Sequence, residues 1–192
     1  MNFLEERILR DGQVREGDIL KVDSFLNHQL DTGLLDKIGE TFYHHFKDKP
    51  VTRVLTVEAS GIAVAYPVAR MFKVPVVFAK KSRSMNLDGD LYTSVVHSYT
   101  YNLDNTLTLS KNYLGRDDCV LIVDDFMANG KAAQGLLDIC RQAGAQVAGI
   151  GIAIEKGFQD GGKNLREAGY DVYSLAIVDE MRNDGTIVFR GN

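Results

Sequence analysis

The chain has 192 residues, of which 45% are hydrophobic and 25% charged, with a formal net charge of −4. That length fits one domain with at most a small appendage, and the composition excludes a largely disordered or collagen-like chain. A net negative charge gives no general attraction to nucleic acid or to an anionic membrane, so any polyanion site has to be built locally.

Residues 2–10 have the spacing of a short amphipathic helix; with acids inside its apolar pattern the stretch does not read as a signal peptide. Residues 18–31 begin as a strand and become polar loop. Leu34, Leu35, Ile38, Phe42, His45 and Phe46 set a helical period over 33–47, and Pro50 ends it. "TRVLTV" (52–57) predicts a strand, "EASGI" (58–62) a turn, 62–72 a helix and "VPVVFA" (74–79) another strand. Residues 80–90, with Lys80, Lys81, Arg83, Asn86 and Gly89, read as a mobile loop. Segments 91–100 and 105–110 alternate as a hairpin would. "CVLIVD" (119–124) is a strand, 131–143 a helix stopping near Gly144, and "QVAGIGIAI" (146–154) a strand. A helix over 163–168, a strand over 171–178 and a last strand near 186–189 complete the pattern. Alternating helices and nearly continuous apolar strands predict an α/β fold with a central, mainly parallel sheet flanked by helices. The expected organisation is one domain over 1–192. Its core would run from about 51 to 155, and a small hood would come from about 1–50 and 156–192.

Cys119 and Cys140 are the only cysteines, without a CxxC pair; they read as reduced and buried, which suits a cytoplasmic protein. His28, His44, His45 and His97 show no metal-ligand spacing, and His44 and His45 read as surface or rim. No run reaches the ~18–20 apolar residues of a membrane span, so no membrane partner is expected.

The stretch with the most chemistry is "VLIVDDFMANGKAA", residues 120–133. Ligands of open α/β sheets bind at the carboxyl ends of strands, where Asp124 and Asp125 are expected to face solvent. One acid would be explained by a helix N-terminus alone; two adjacent acids followed by Ala128, Asn129, Gly130, Lys131 and Ala132 ask for more. Small residues let backbone N–H groups approach a ligand, and the first turn of a helix is an anion site. A sugar phosphate would satisfy both, with phosphate on the amides and hydroxyls on the aspartates. A Walker A loop is excluded, because its first glycine would fall on Asp125 and its Ser/Thr on Ala132; "GIGIAI" from Gly149 lacks the third glycine of a dinucleotide fingerprint.

The stretch 120–133 resembles the signature of the type I phosphoribosyltransferase family for phosphoribosyl pyrophosphate (PRPP). The blocks "LKVDSFLNHQLD", "EASGIA", "VPVVFAKK", "DDFMANGKAA" and "GIGIAIEKGFQ", between residues 20 and 159, are similar to the bacterial xanthine phosphoribosyltransferases within it. The resemblance implies a type I phosphoribosyltransferase fold and transfer of ribose 5-phosphate from PRPP to a purine, xanthine above all, in purine salvage. It implies Asp124 and Asp125 at the ribose hydroxyls, and residues 128–132 at the 5′-phosphate. Ala59, Ser60 and Gly61 would form the pyrophosphate loop, which in many relatives carries a basic residue that is missing here. Lys80 and Lys81, with Arg83, would therefore supply positive charge, in their own or a partner subunit, and residues 84–97 would form a mobile lid. Mg²⁺ would be bound mainly through PRPP. Leu20, Asn27, Lys156 and Phe158 would hold the base. Lysine donates only, which suits O6 and N7 of an oxopurine and disfavours adenine; Asn27 can donate or accept, so guanine or hypoxanthine stays open at this point. A homodimer and no nucleic-acid partner are implied. A non-catalytic PRPP-sensing regulator is the other reading. It is disfavoured because such regulators usually add a DNA-binding domain, for which there is no room before the core, or a basic RNA face.

Overall fold

A computed structural model describes residues 1–82, 90–98 and 103–191. The chain opens with α1 (Phe3–Asp11), whose cap is legible in sequence: Asn2 accepts from the amides of Leu4 and Glu5, while Glu5 accepts from the Asn2 amide. A short hairpin follows, β1 (Gln13–Arg15) and β2 (Ile19–Lys21), separate from the main sheet. A π-helical turn, Asp23–Asn27, leads to α2 (Thr32–Phe46), capped by Asp31. Arg7 reaches that same Asp31 at 2.6 Å and ties the first two helices together.

The core then alternates: β3 (Arg53–Val57), α3 (Ser60–Phe72), β4 (Val76–Ser82), the hairpin β5 (Leu91–Ser98) and β6 (Leu103–Ser110), β7 (Cys119–Met127), α4 (Lys131–Ala143), β8 (Gln146–Lys156), α5 (Gly161–Glu167), β9 (Val172–Met181) and β10 (Ile187–Phe189). Strands β3 to β10 form one eight-stranded sheet in the order β10-β9-β8-β7-β3-β4-β6-β5. Pairs from β9 across to β4 are parallel; β10 and the β5–β6 hairpin add antiparallel edges. The expected α/β class with a central, mainly parallel sheet is borne out.

The unbroken apolar strands follow from burial on both faces. Successive residues point to opposite sides: Val54 and Leu121 join one core with Ile38 and Phe42 of α2, whereas Leu55 and Ile122 join the other with Leu136 and Ile139 of α4. No described helix is long and apolar enough to cross a membrane.

Four expectations are corrected. Strand β7 does not stop at the acids but runs three residues further to Met127, because β8 extends beside it and Met127 pairs with Glu155. Lys80 and Lys81 belong to β4, not to a loop; pairing with Thr108 and Leu107 of β6 holds them in the ladder while their side chains stay exposed. Helix α3 begins at Ser60, inside the expected turn. Cys119 is only part-buried, at the start of β7, whereas Cys140 is buried, and both are free thiols. Arg83, Asn86 and Gly89 lie outside the described residues, as do residues 84–89 of the expected lid; residues 91–97 of that lid are instead held in β5 by pairing with β6.

Candidate active site

The site is built where β7 feeds α4. The β7 ladder carries Asp124 and Asp125 well inside the protein: they are only 6% and 7% exposed, not solvent-facing as expected at a strand end. Asp124 Oδ1 accepts from the Asp125 amide at 3.0 Å. Burial pushes the Asp124 carboxyl well above its ordinary range, the neighbouring Asp125 pushes it further, and the charge of Lys81 pulls weakly the other way.

The start of α3 lies against this acid. A Cβ on Gly61 would stand 2.7 Å from Asp124 Oδ1 and would collide with the Thr56 hydroxyl, so only glycine lets the turn of Ala59, Ser60 and Gly61 approach. Thr56 Oγ1 is itself buried without a hydrogen-bond partner. The Glu58–Ala59 peptide at the head of this turn is cis.

Beyond Met127 the chain turns through Ala128, Asn129 and Gly130 into α4. Gly130 has φ +75°, a left-handed conformation that glycine adopts freely. The Asn129 side chain accepts from the Lys131 amide at 3.2 Å, closing the turn. No side chain caps the helix at Gly130. First-turn amides have no partner inside a helix, which applies here to Ala132 and Ala133; with Lys131 they line an open cleft of about 350 Å³.

That cleft joins distant parts of the chain. Asp124 and residues 128–132 line it together with Leu20 from β2, Asn27 from the π-helical turn and Lys156 from the end of β8. Nine of the residues singled out from sequence therefore share one cavity. Lys156 donates from Nζ to the Asp18 carbonyl at 2.8 Å, which ties the strand end to the β1–β2 turn, where Gly17 and Asp18 have φ of +81° and +58°. Burial lowers the Lys156 pKa, and Asp18 partly restores it.

The remaining candidates stand apart. Asp125, Ala59, Ser60 and Gly61 do not line the cleft. Lys80 and Lys81 line a second, wider cleft of about 990 Å³ with Glu58, whose carboxylate accepts from the Lys81 amide at 2.7 Å. Phe158, 39% exposed in the turn after β8, lies outside the cleft wall. Sequence reasoning missed Ile19, Phe126, Met127 and Ile152, which supply the apolar lining. Phe126 and Met127 directly follow the acids and would have been readable had β7 been given its full length.

The family model for the phosphoribosyl transferase domain matches residues 23–180. The chain belongs to the phosphoribosyltransferase family. A relative from Bifidobacterium adolescentis, named xanthine phosphoribosyltransferase, is 57% identical over 99% of this chain and 100% of its own. A relative of the same name from Ruminiclostridium cellulolyticum is 57% identical over 95% of this chain and 96% of its own. The crystal structure of adenine phosphoribosyltransferase from Rhodothermus marinus superposes with a TM-score of 0.73 at 21% identity, covering 90% of this chain and 97% of that one. At such identity the likeness shows the fold, which is that of the type I phosphoribosyltransferases. The resemblance read from "DDFMANGKAA" is thus borne out, and all of that stretch except Asp125 lines the cleft of this phosphoribosyltransferase.

Proposed function

We infer that the chain transfers ribose 5-phosphate from PRPP to N9 of xanthine, giving XMP and pyrophosphate in purine salvage. One observation carries the reading at the site: a buried carboxylate, a glycine turn with first-turn amides, and a lysine at a strand end face one cavity of about 350 Å³. The names of the relatives direct it to xanthine.

The reaction passes through an oxocarbenium-like transition state, so the protein orients the reactants and stabilises separating charge. Residues 128–132 hold the 5′-phosphate through backbone amides. Asp124 and Asp125 are the catalytic pair, accepting from the ribose hydroxyls. Ala59, Ser60 and Gly61 hold the pyrophosphate, and Lys80 and Lys81 balance its charge. Lys156 donates to O6 or N7 of the base, Leu20 packs on it, Asn27 reads the edge near position 2, and Phe158 covers it from the rim. Among the described residues no group of three or more acids, histidines or cysteines could cage a metal. Mg²⁺ would be held mainly through the diphosphate oxygens of PRPP, with water completing its shell. When bound, the ion would neutralise charge on the leaving pyrophosphate. Incubation with PRPP, Mg²⁺ and xanthine should release pyrophosphate and XMP in equal amounts; pyrophosphate without XMP would refute the transfer.

Gly130→Val tests the phosphate turn. Valine at φ +75° is strained, and its Cβ would stand 3.1 Å from Gly161 Cα. PRPP affinity should fall by at least about tenfold, with a lower melting temperature because of the strain. Unchanged affinity in calorimetry would put the phosphate elsewhere.

The protein is proposed to work as a cytoplasmic homodimer. Phe78 and Tyr113 are 39% and 63% exposed beside Lys80 and Lys81, an apolar and basic edge that a second copy would cover. Sedimentation at micromolar concentration should give twice the chain mass; a fully active monomer would remove any contribution across subunits.

A further inference from the structure

The geometry points to a positioning device behind the phosphate turn: Glu155, clamped by Arg166 and Ser174, fixes α5 so that the Gly161 backbone braces residues 128–130. Glu155 is the penultimate residue of β8 and only 1% exposed. Arg166 of α5 grips it with both guanidinium arms, Nη1 to Oε1 at 2.8 Å and Nη2 to Oε2 at 2.7 Å. The Ser174 hydroxyl of β9 donates to Oε2 as well. One carboxylate thus ties two strands to a seven-residue helix that is too short to hold itself. A forked pair of this kind fixes orientation as well as distance. Burial alone would raise the Glu155 pKa, but the bonds from Arg166 and Ser174 outweigh it, so the carboxylate stays charged.

The glycines transmit this position. A Cβ on Gly162 would collide with the Glu155 carboxylate. A Cβ on Gly161 would collide with the Ala128 carbonyl and stand 2.6 Å from the Gly130 nitrogen and 2.7 Å from the Asn129 carbonyl carbon. Carboxylate, Gly162, Gly161 and phosphate turn are therefore stacked without a side chain between them. A shift of α5 has to move the backbone that presents the amides. Neither Glu155, Arg166 nor Gly161 lines the cleft, so their effect on a ligand has to pass through the turn.

This inference rests on residues 128–132 taking the 5′-phosphate. The test uses Gly161→Ala, Ser174→Ala, Arg166→Met and Arg166→Lys in the full chain, with PRPP binding followed by calorimetry and KM measured for PRPP and for xanthine. Gly161→Ala and Arg166→Met should weaken PRPP binding about ten- to a hundredfold, as expected when reacting groups are misplaced by about an ångström. KM for xanthine should stay within about twofold of wild type, a split expected from orientation effects confined to one substrate. Arg166→Lys should recover part of the loss, because it restores charge but not the fork. Ser174→Ala should show a smaller effect in the same direction. If Arg166→Met does not fold, because it leaves a buried carboxylate unpaired, Gly161→Ala and Ser174→Ala keep the ion pair and decide the question. Folded variants with wild-type PRPP affinity, or with both KM values raised equally, would overturn the clamp. Failure of the transfer reading would show separately, as a wild type that binds PRPP without turnover.

Discussion

Asp124→Asn should lower kcat/KM by about one to two decades, the cost of a lost hydrogen bond to a charged group, while raising stability at neutral pH. The two effects share one cause. Asp124 is buried beside a second carboxylate, and its pKa in the folded chain lies well above the ordinary 3.8. Between those two values the folded chain holds a proton that the unfolded chain has released. Stability from this group therefore falls as pH rises through that window, and the cost persists above it. Asparagine keeps an oxygen that can accept from the Asp125 amide but carries no charge. The melting-temperature gap between Asp124→Asn and wild type should be small below about pH 3.8 and should widen towards neutrality. Asp125→Asn should lose turnover similarly, since it removes the other proposed acceptor of the ribose hydroxyls. Full activity in both variants would refute the sugar assignment. A neutral-pH loss of stability in Asp124→Asn would mean that its carboxylate is charged and paired in the resting protein.

Lys156→Ala should cut the specificity constant for xanthine by about one to two decades, because O6 and N7 of the base lose a charged donor. Guanine should suffer alike, since it shares both atoms. The structure adds a consequence. Nζ already binds the Asp18 carbonyl at 2.8 Å, so the variant also releases the β1–β2 turn that carries Ile19 and Leu20 into the cleft. Asn27→Ala leaves that tether intact. It should instead move the xanthine-to-guanine ratio, as expected for a residue near position 2, where xanthine has a carbonyl and guanine an amine. Steady-state kinetics of both variants with both bases separates the roles. A silent Lys156→Ala together with a fixed ratio in Asn27→Ala would place the base elsewhere.

The parts legible in sequence are those with strong local signals. The helix over 131–143 was bounded by the glycine turn before it and Gly144 after it, and the structure gives Lys131–Ala143. Strand ends were less legible because tertiary pairing extends them. Lys80 and Lys81 look like loop residues until β6 supplies a partner, and Phe126 and Met127 look like the start of a turn until β8 runs alongside. The three-residue strand β1 is too short to carry a period, whereas β2 lies where residues 18–31 were expected to begin as a strand. The site was readable as a motif around Asp124 and as a resemblance at Leu20, Asn27 and Lys156, but not as a cavity. Only the parallel pairing of β7 and β8 and the fold of the first helices bring those residues together. Glu155 was out of reach for the same reason: its partners lie 11 and 19 residues away and meet it across β8, α5 and β9.

Competition among purine bases decides whether the chain is a xanthine phosphoribosyltransferase. The protein is mixed with PRPP, Mg²⁺ and equimolar xanthine, guanine, hypoxanthine and adenine, and the nucleotides formed are separated and measured at early times. XMP should be the main product, with the other oxopurine nucleotides behind it and AMP last. No nucleotide from any base, or AMP as the leading product, would contradict that assignment.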